Sequence, residues 1–271
     1  MSYFRQFPKI GYDLKNDGVI QNVVNIYRSI RPLQQYIDNI SAYKYYEIKN
    51  GERPDIVSQR LYGTPNYYWT FFIINDYLHD GLASWPMSSE DLYEWIKEEY
   101  NGFAITTNTI IRRNTDQLIT DHENSLSGRF QIGEKINGGS SSANGTLKKK
   151  LIDMNQLIVQ NCTGTFIGDP TLINNPSETI VGETSGDSVT SYQVYKYEDA
   201  PYQYYLETDI TYQRVVDNGI FINGGTPASD LAFISNRAHV EQANMQRSNL
   251  RVIDPNYIRQ FTDKFETLIN G

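Results

Sequence analysis

The residues best suited to do chemistry are few. His79, His122 and His239 are the three histidines, and Cys162 is the single cysteine. Histidine serves as general base or metal ligand, but these three are scattered and none sits in a H-E-x-x-H spacing. Asp121-His122-Glu123 are contiguous. Neighbours on an extended segment point to opposite faces, so a polar turn explains them better than a metal site. One thiol builds neither an intrachain disulfide nor a thiolate zinc cluster, and suits a reducing cytoplasm. No G-x-S-x-G, P-loop or G-x-G-x-x-G is present. Glu98-Glu99 lie on an evident helix surface, and glycosidase chemistry needs two carboxyl groups facing across a cleft. The reading is no enzyme and no cofactor, with a binding or structural role in its place.

Charge removes further classes. The chain of 271 residues carries a net charge of −8, against a nucleic-acid partner, which requires a basic surface. Lys148–Lys150 is the one short basic run, read as a solvated loop or strand edge. No apolar run reaches the roughly 20 residues of a membrane helix, and the N-terminal residues hold no signal-peptide core. No membrane association is expected. Tyrosine, at 21 residues against 11 phenylalanines, leans toward surfaces that become buried against a partner.

The elements that must position these side chains fall into four stretches: a helical arm over 1–42, a compact unit over 43–102, a β-rich module over 103–197 and a tail over 198–271. In the arm, Val23, Ile26, Tyr27 and Ile30 share one helical face. Pro32 then opens a second helix with Leu33, Tyr36, Ile37 and Ile40. In the unit, Tyr43–Lys49 reads as a strand. Pro54 starts a short helix that Gly63 ends as a left-handed cap, and Thr64-Pro65 begins another. Ser88 and Asp91 form a capping box for a third helix. Between Phe103 and Tyr197, short apolar runs between Gly, Ser, Thr and Asn clusters suggest a small all-β module. Within it, Phe130-Gln-Ile-Gly133 echoes Phe166-Ile-Gly168 as two related hairpins. At the end, Asp254-Pro255 starts an amphipathic helix with Ile258, Phe261, Phe265 and Leu268 on one face.

One run, Tyr67-Tyr68-Trp69-Thr70-Phe71-Phe72-Ile73, is unusually aromatic. Large side chains at helical spacing are core in a small unit, so Trp69, Phe72 and Ile73 are assigned to packing. Helix neighbours diverge by about 100°, so Tyr67, Tyr68 and Phe71 cannot all point inward with them. They are read as an outer strip facing a partner, and the face Ile258, Phe261, Phe265 and Leu268, which needs either the first stretch or another chain to lie on, is grouped with them as candidate interface.

The order strand, Gly51-Glu52-Arg53-Pro54, helix ending Leu61-Tyr62-Gly63, then Pro65, Tyr68-Trp69 and Asn75-Asp76 resembles the LysM fold. In this variant it is similar to the LysM-like, wedge-joining baseplate wedge subunit of contractile-tailed bacteriophages. The tail Asn244–Ile269 resembles that family's ending. The motif residues are Arg53, Pro54, Leu61, Tyr62, Gly63, Pro65, Trp69, Phe72, Asn75 and Asp76. The resemblance implies an α+β fold: a helical N-terminal part with a LysM-like β-α-α unit, an inserted small all-β module and a C-terminal amphipathic helix. It further implies a structural virion protein of the tail baseplate, assembled in the host cytoplasm. Its partners would be other wedge subunits, central hub proteins and neighbouring wedges in a six-fold ring. A LysM-type peptidoglycan-binding module and a tail assembly chaperone are the alternatives.

Overall fold

The computed structural model describes residues 7–25, 42–107, 126–168, 177–208, 211, 213–214, 222–223, 226–227 and 231–270. The chain divides into two compact units, one made of Met1–Leu92 with Gln242–Gly271 and the other of Tyr93–Glu241.

The first unit opens with a hairpin, β1 (Lys9–Tyr12) and β2 (Gln21–Val24), paired antiparallel from Lys9–Val24 to Tyr12–Gln21. Its turn is held by the Asp13 carboxylate, which accepts backbone N–H bonds from Lys15, Asp17 and Gly18 at 3.2, 3.2 and 2.7 Å. Gly18 has φ 80°, which glycine adopts without a Cβ penalty. The helix expected from Val23 onward is therefore a strand at its start, while Ile26, Tyr27, Ile30 and the helix from Pro32 to Ile40 lie outside the described residues. β-branched Val23 and Val24 opposite Ile10 and Lys9 favour the extended chain.

Next come β3 (Tyr43–Glu47), α1 (Pro54–Tyr62), a 3₁₀ turn Pro65–Tyr67, α2 (Trp69–Ile74) and α3 (Ser89–Glu99). The partner of β3 comes from far along the chain. It is β14 (Asn249–Ile253), which pairs antiparallel with β3 from Asn249–Glu47 to Ile253–Tyr43. Helix α5 (Ile258–Asn270) follows β14.

The second unit is organised around a closed six-stranded barrel, in the order β4-β7-β6-β5-β8-β9. Its strands are β4 (Phe103–Thr107), β5 (Lys135–Gly138), β6 (Asn144–Leu151), β7 (Gln156–Thr163), β8 (Thr179–Gly182) and β9 (Ser188–Lys196). Inward residues Ile105, Ile136, Leu147, Leu157, Val159, Ile180 and Val189 pack with Leu126, Phe130 and Phe166. Closure leaves no sheet edge. Beyond the barrel lie β10 (Pro201–Leu206), the short pair β11 (Ile222–Asn223) and β12 (Thr226–Pro227), β13 (Leu231–Ser235) against β10, and α4 (Asn236–Ser248).

The two-hairpin echo becomes an internal two-fold pattern. Glu134, Ile136, Gly138 and Ser141 recur as Glu178, Ile180, Gly182 and Ser185, and β5 and β8 pair with each other antiparallel. Each buried carboxylate ties down the other copy's loop. Glu178 accepts from the N–H groups of Ser140 (3.1 Å), Ser141 (2.9 Å) and Ile167 (2.7 Å). Glu134 accepts from those of Thr184 (3.1 Å), Ser185 (2.9 Å) and Gln131 (2.6 Å). A Cβ on Gly138 would lie 2.7 Å from a Glu178 oxygen, and one on Gly182 would lie 2.7 Å from a Glu134 oxygen, so both positions need glycine.

The fold is mixed α+β, and the expected class needs correcting. Among the described residues, no helical N-terminal part leads into a self-contained LysM-like β-α-α unit, although the expected terminal helix is present as α5. The described N-terminal residues form a hairpin, and β3 completes its sheet only with β14. The expected small all-β insertion is a closed barrel. Strand pairing over such separations leaves no local signature, and propensity alone cannot find it.

At the β4–β7 pairing, buried polar groups are poorly satisfied. Gln156 on β7 is fully buried with neither amide atom hydrogen-bonded, and Thr106, opposite it on β4, has an unpartnered buried hydroxyl. Gln156→Met, which keeps the volume and removes the amide, is expected to raise stability by about 1–3 kcal/mol. Urea denaturation reads this directly, and a lower midpoint than wild type would refute it.

Candidate protein-docking surface

The α1–α2 segment is built by local rules. Arg53 is the extended residue before α1, Pro54 occupies the first turn and is buried, and Asp55 pairs with the Arg53 guanidinium at 3.2 Å. Gly63, at φ 73°, closes α1 with its N–H on the Gln59 carbonyl. Buried Ser58 donates to Thr64 O at 2.7 Å and accepts from Tyr67 N at 3.2 Å, tying down the turn that contains Pro65. Leu61 is half-buried beside Tyr62. The Tyr62 hydroxyl donates to Ile253 O at 2.9 Å, and burial pushes its phenol far above the ordinary value.

Asn75 does for β14 what another strand would. Its Nδ2 donates to Arg251 O at 2.9 Å, its Oδ1 accepts from Arg251 N at 3.0 Å, and Tyr77 donates to Asn249 O at 2.6 Å. Asp76 beside it is exposed.

The aromatic run is mostly interior, and two expectations change. Trp69 is 6% exposed, with its ring 4.9 Å from Phe265 and 6.5 Å from Phe261. Ile258, Phe261 and Phe265 are buried in that cluster with Ile253. The terminal helix thus rests on its own chain, and only Leu268 of its expected interface face is exposed. Phe71, placed on an outer strip, is fully buried against Trp85 and Tyr62. The reason is that α2 is covered on two sides, by the Trp69 cluster and by the cluster of Phe71, Leu78 and Leu250. Tyr67 and Tyr68 are half-buried, edge-on to Tyr62 and Phe72 respectively, and Phe72 is itself only half-buried.

The exposed apolar surface lies elsewhere in the unit. On the β1–β2 hairpin, Tyr12, Leu14, Val19 and Ile20 are 56%, 59%, 57% and 74% exposed, and on β3 Tyr45 is 71% exposed. Grouped exposed apolar side chains of this size mark contact surfaces. The available signal was Asn16-Asp17-Gly18 between two runs of β formers, which reads as a hairpin turn.

The reactive side chains do not converge. Among the described residues no three His, Cys, Asp or Glu side chains group to hold a metal ion. His79 lies beside Asp80, and His239 stacks on Tyr202 at 3.7 Å. His122 lies outside the described residues. Burial pushes the Cys162 thiol up, away from the reactive thiolate. The basic run is engaged internally: Lys148 pairs with Glu99 at 3.2 Å, Lys149 lies over the Tyr197 ring, and Lys150 donates to the carbonyls of Ser127, Arg129 and Phe130. No helix among the described residues is long and apolar enough to cross a membrane.

Residues 2–118, a little under half of the chain, match the family model described as base plate wedge protein 53, a stretch that covers the hairpin, β3, α1–α3 and β4. Strands β5 to β9 lie beyond the match. No curated protein matches the chain.

Proposed function

We propose that the protein docks on other wedge subunits and joins adjacent wedges around the hub of a contractile tail, as one of a six-fold set. The observation that carries this reading is the exposed apolar hairpin within the stretch similar to the wedge family. Leaving such side chains in water is unfavourable, at roughly 25 cal/mol per Å² of apolar surface, so covering them on assembly contributes binding energy. Tyr45 and the half-buried Tyr67 and Tyr68 supply further contact area on the same unit. Several modest contacts on one chain become strong when the partner's sites are correctly spaced, which favours ordered joining. The barrel adds a contact with a further baseplate component.

The test pairs folding with assembly. Leu14→Ser/Ile20→Ser is expected to leave the melting midpoint unchanged, because both side chains are exposed. In tail preparations made with this variant, unjoined wedges should accumulate and rings should fall at least severalfold by electron microscopy. Rings at wild-type yield would overturn the joining role.

A further inference from the structure

A groove of about 560 Å³ in the first unit is lined by Tyr45, Tyr77, Asp76, His79, Arg247 and Arg251 among others. Both arginines are half-buried, and among the described residues neither has a carboxylate within ion-pair distance. In a chain of net charge −8, two unpaired guanidinium groups in one concavity are conspicuous. They are also held in place. Asn75 grips the backbone N–H and C=O of Arg251, and the Arg251 guanidinium lies 5.4 Å from the Tyr43 ring centre. Arg247 lies in the last turn of α4, where the negative end of the helix favours a cation.

A large cleft in the second unit differs. There Arg214 faces Asp153 at 3.6 Å, Lys150 is spent on carbonyls and Lys149 lies over Tyr197. Its cations meet a carboxylate, carbonyls or a ring, whereas Arg247 and Arg251 have no carboxylate within ion-pair distance among the described residues, Arg251 resting only on the Tyr43 ring.

The geometry points to a docking site for an acidic segment of a partner protein, with carboxylates on Arg247 and Arg251 and the chain lying against Tyr45 and Tyr77. Guanidinium forks take carboxylates in two-point hydrogen bonds, and tyrosine supplies flat contact area with a polar tip. A peptide fits better than a small anion because the groove sets two tyrosines beside the charges, a contact area that a small anion leaves unused. Asp76 and His79 sit in the same groove, and Asp76 opposes the incoming charge. This inference rests on the wedge reading for its biological partner but not for its chemistry.

The experiment titrates fluorescein-labelled hexaglutamate into the full chain, followed by anisotropy. Saturable binding that weakens in 0.5 M salt is expected. Arg247→Gln/Arg251→Gln should weaken it at least tenfold with the melting midpoint kept. Arg247→Gln alone, on a surface helix, should weaken it severalfold and guards against a folding defect in the double variant. Asp76→Asn should tighten it severalfold. Absence of saturable binding, or binding indifferent to the arginine changes, overturns the site. Equal competition by inorganic phosphate and by hexaglutamate overturns the peptide assignment in favour of a small-anion site. Mass spectrometry of purified tails separates the two readings. Presence of the chain there with no hexaglutamate binding sinks the groove alone, and absence from tails with binding intact sinks the wedge role alone.

Discussion

Trp69→Ala is expected to remove a large share of the stability of the first unit. The indole is 6% exposed and packed on Phe265 and Phe261, so truncation leaves a large hole between α2 and α5. Such truncations cost about 3–5 kcal/mol, against about 5–15 kcal/mol for a whole domain. The loss should appear in near-ultraviolet dichroism and in fast amide exchange across Phe261–Phe265. Phe265→Ala alone should also destabilise. The double variant should fall short of the sum by about 0.5–1.5 kcal/mol, because one aromatic contact is being removed twice. A loss below about 1 kcal/mol for Trp69→Ala would mean that α5 is not anchored through this residue.

The second large effect concerns the barrel's paired carboxylates. Glu178→Ala leaves the N–H groups of Ser140, Ser141 and Ile167 without their acceptor. Hydrogen bonds to a charged group are worth about 1.5–3 kcal/mol each, so a loss of about 3 kcal/mol or more is expected in chemical denaturation. Glu134 adds a pH signature. Burial alone would raise its carboxyl, but the N–H groups of Ser185, Gln131 and Thr184 and the Ser185 hydroxyl outweigh it and hold it below the usual range. A depressed carboxyl contributes stability that is present above its unfolded value of about 4.3 and lost as pH falls through its folded value. Stability should therefore fall more steeply below that pH in wild type than in Glu134→Gln. Equal slopes would show that this carboxylate is not held as the geometry indicates.

Legibility followed the range of the interaction. Pro54, Gly63, Thr64 and the Ser88–Asp91 pair act on neighbours within a few residues, and each was readable where it stands. Tyr43–Glu47 was readable as a strand, but its partner at Asn249–Ile253 was not, since nothing local to either segment names the other. The Val23–Ile30 helix failed at its start because the valines satisfy both periods over so short a run, and pairing with Lys9–Tyr12 decided for strand. The burial of Phe71 was hidden for a related reason. A 100° step places a side chain on a helix but cannot say how many faces of that helix are covered. The arginine pair of the groove comes from α4 and β14, while the tyrosines come from β3 and the turn after α2. Their convergence is a property of the fold and of no single stretch of sequence.

The β3–β14 pairing has a temporal consequence. During synthesis, Tyr43–Glu47 leaves the ribosome about 200 codons ahead of the strand that completes it, at roughly 5–20 residues per second. Tens of seconds pass in which the early half waits open while the intervening barrel has all of its own strands. A chain broken off before Asn249 therefore never closes its sheet, and its β3 is left with an unpaired edge.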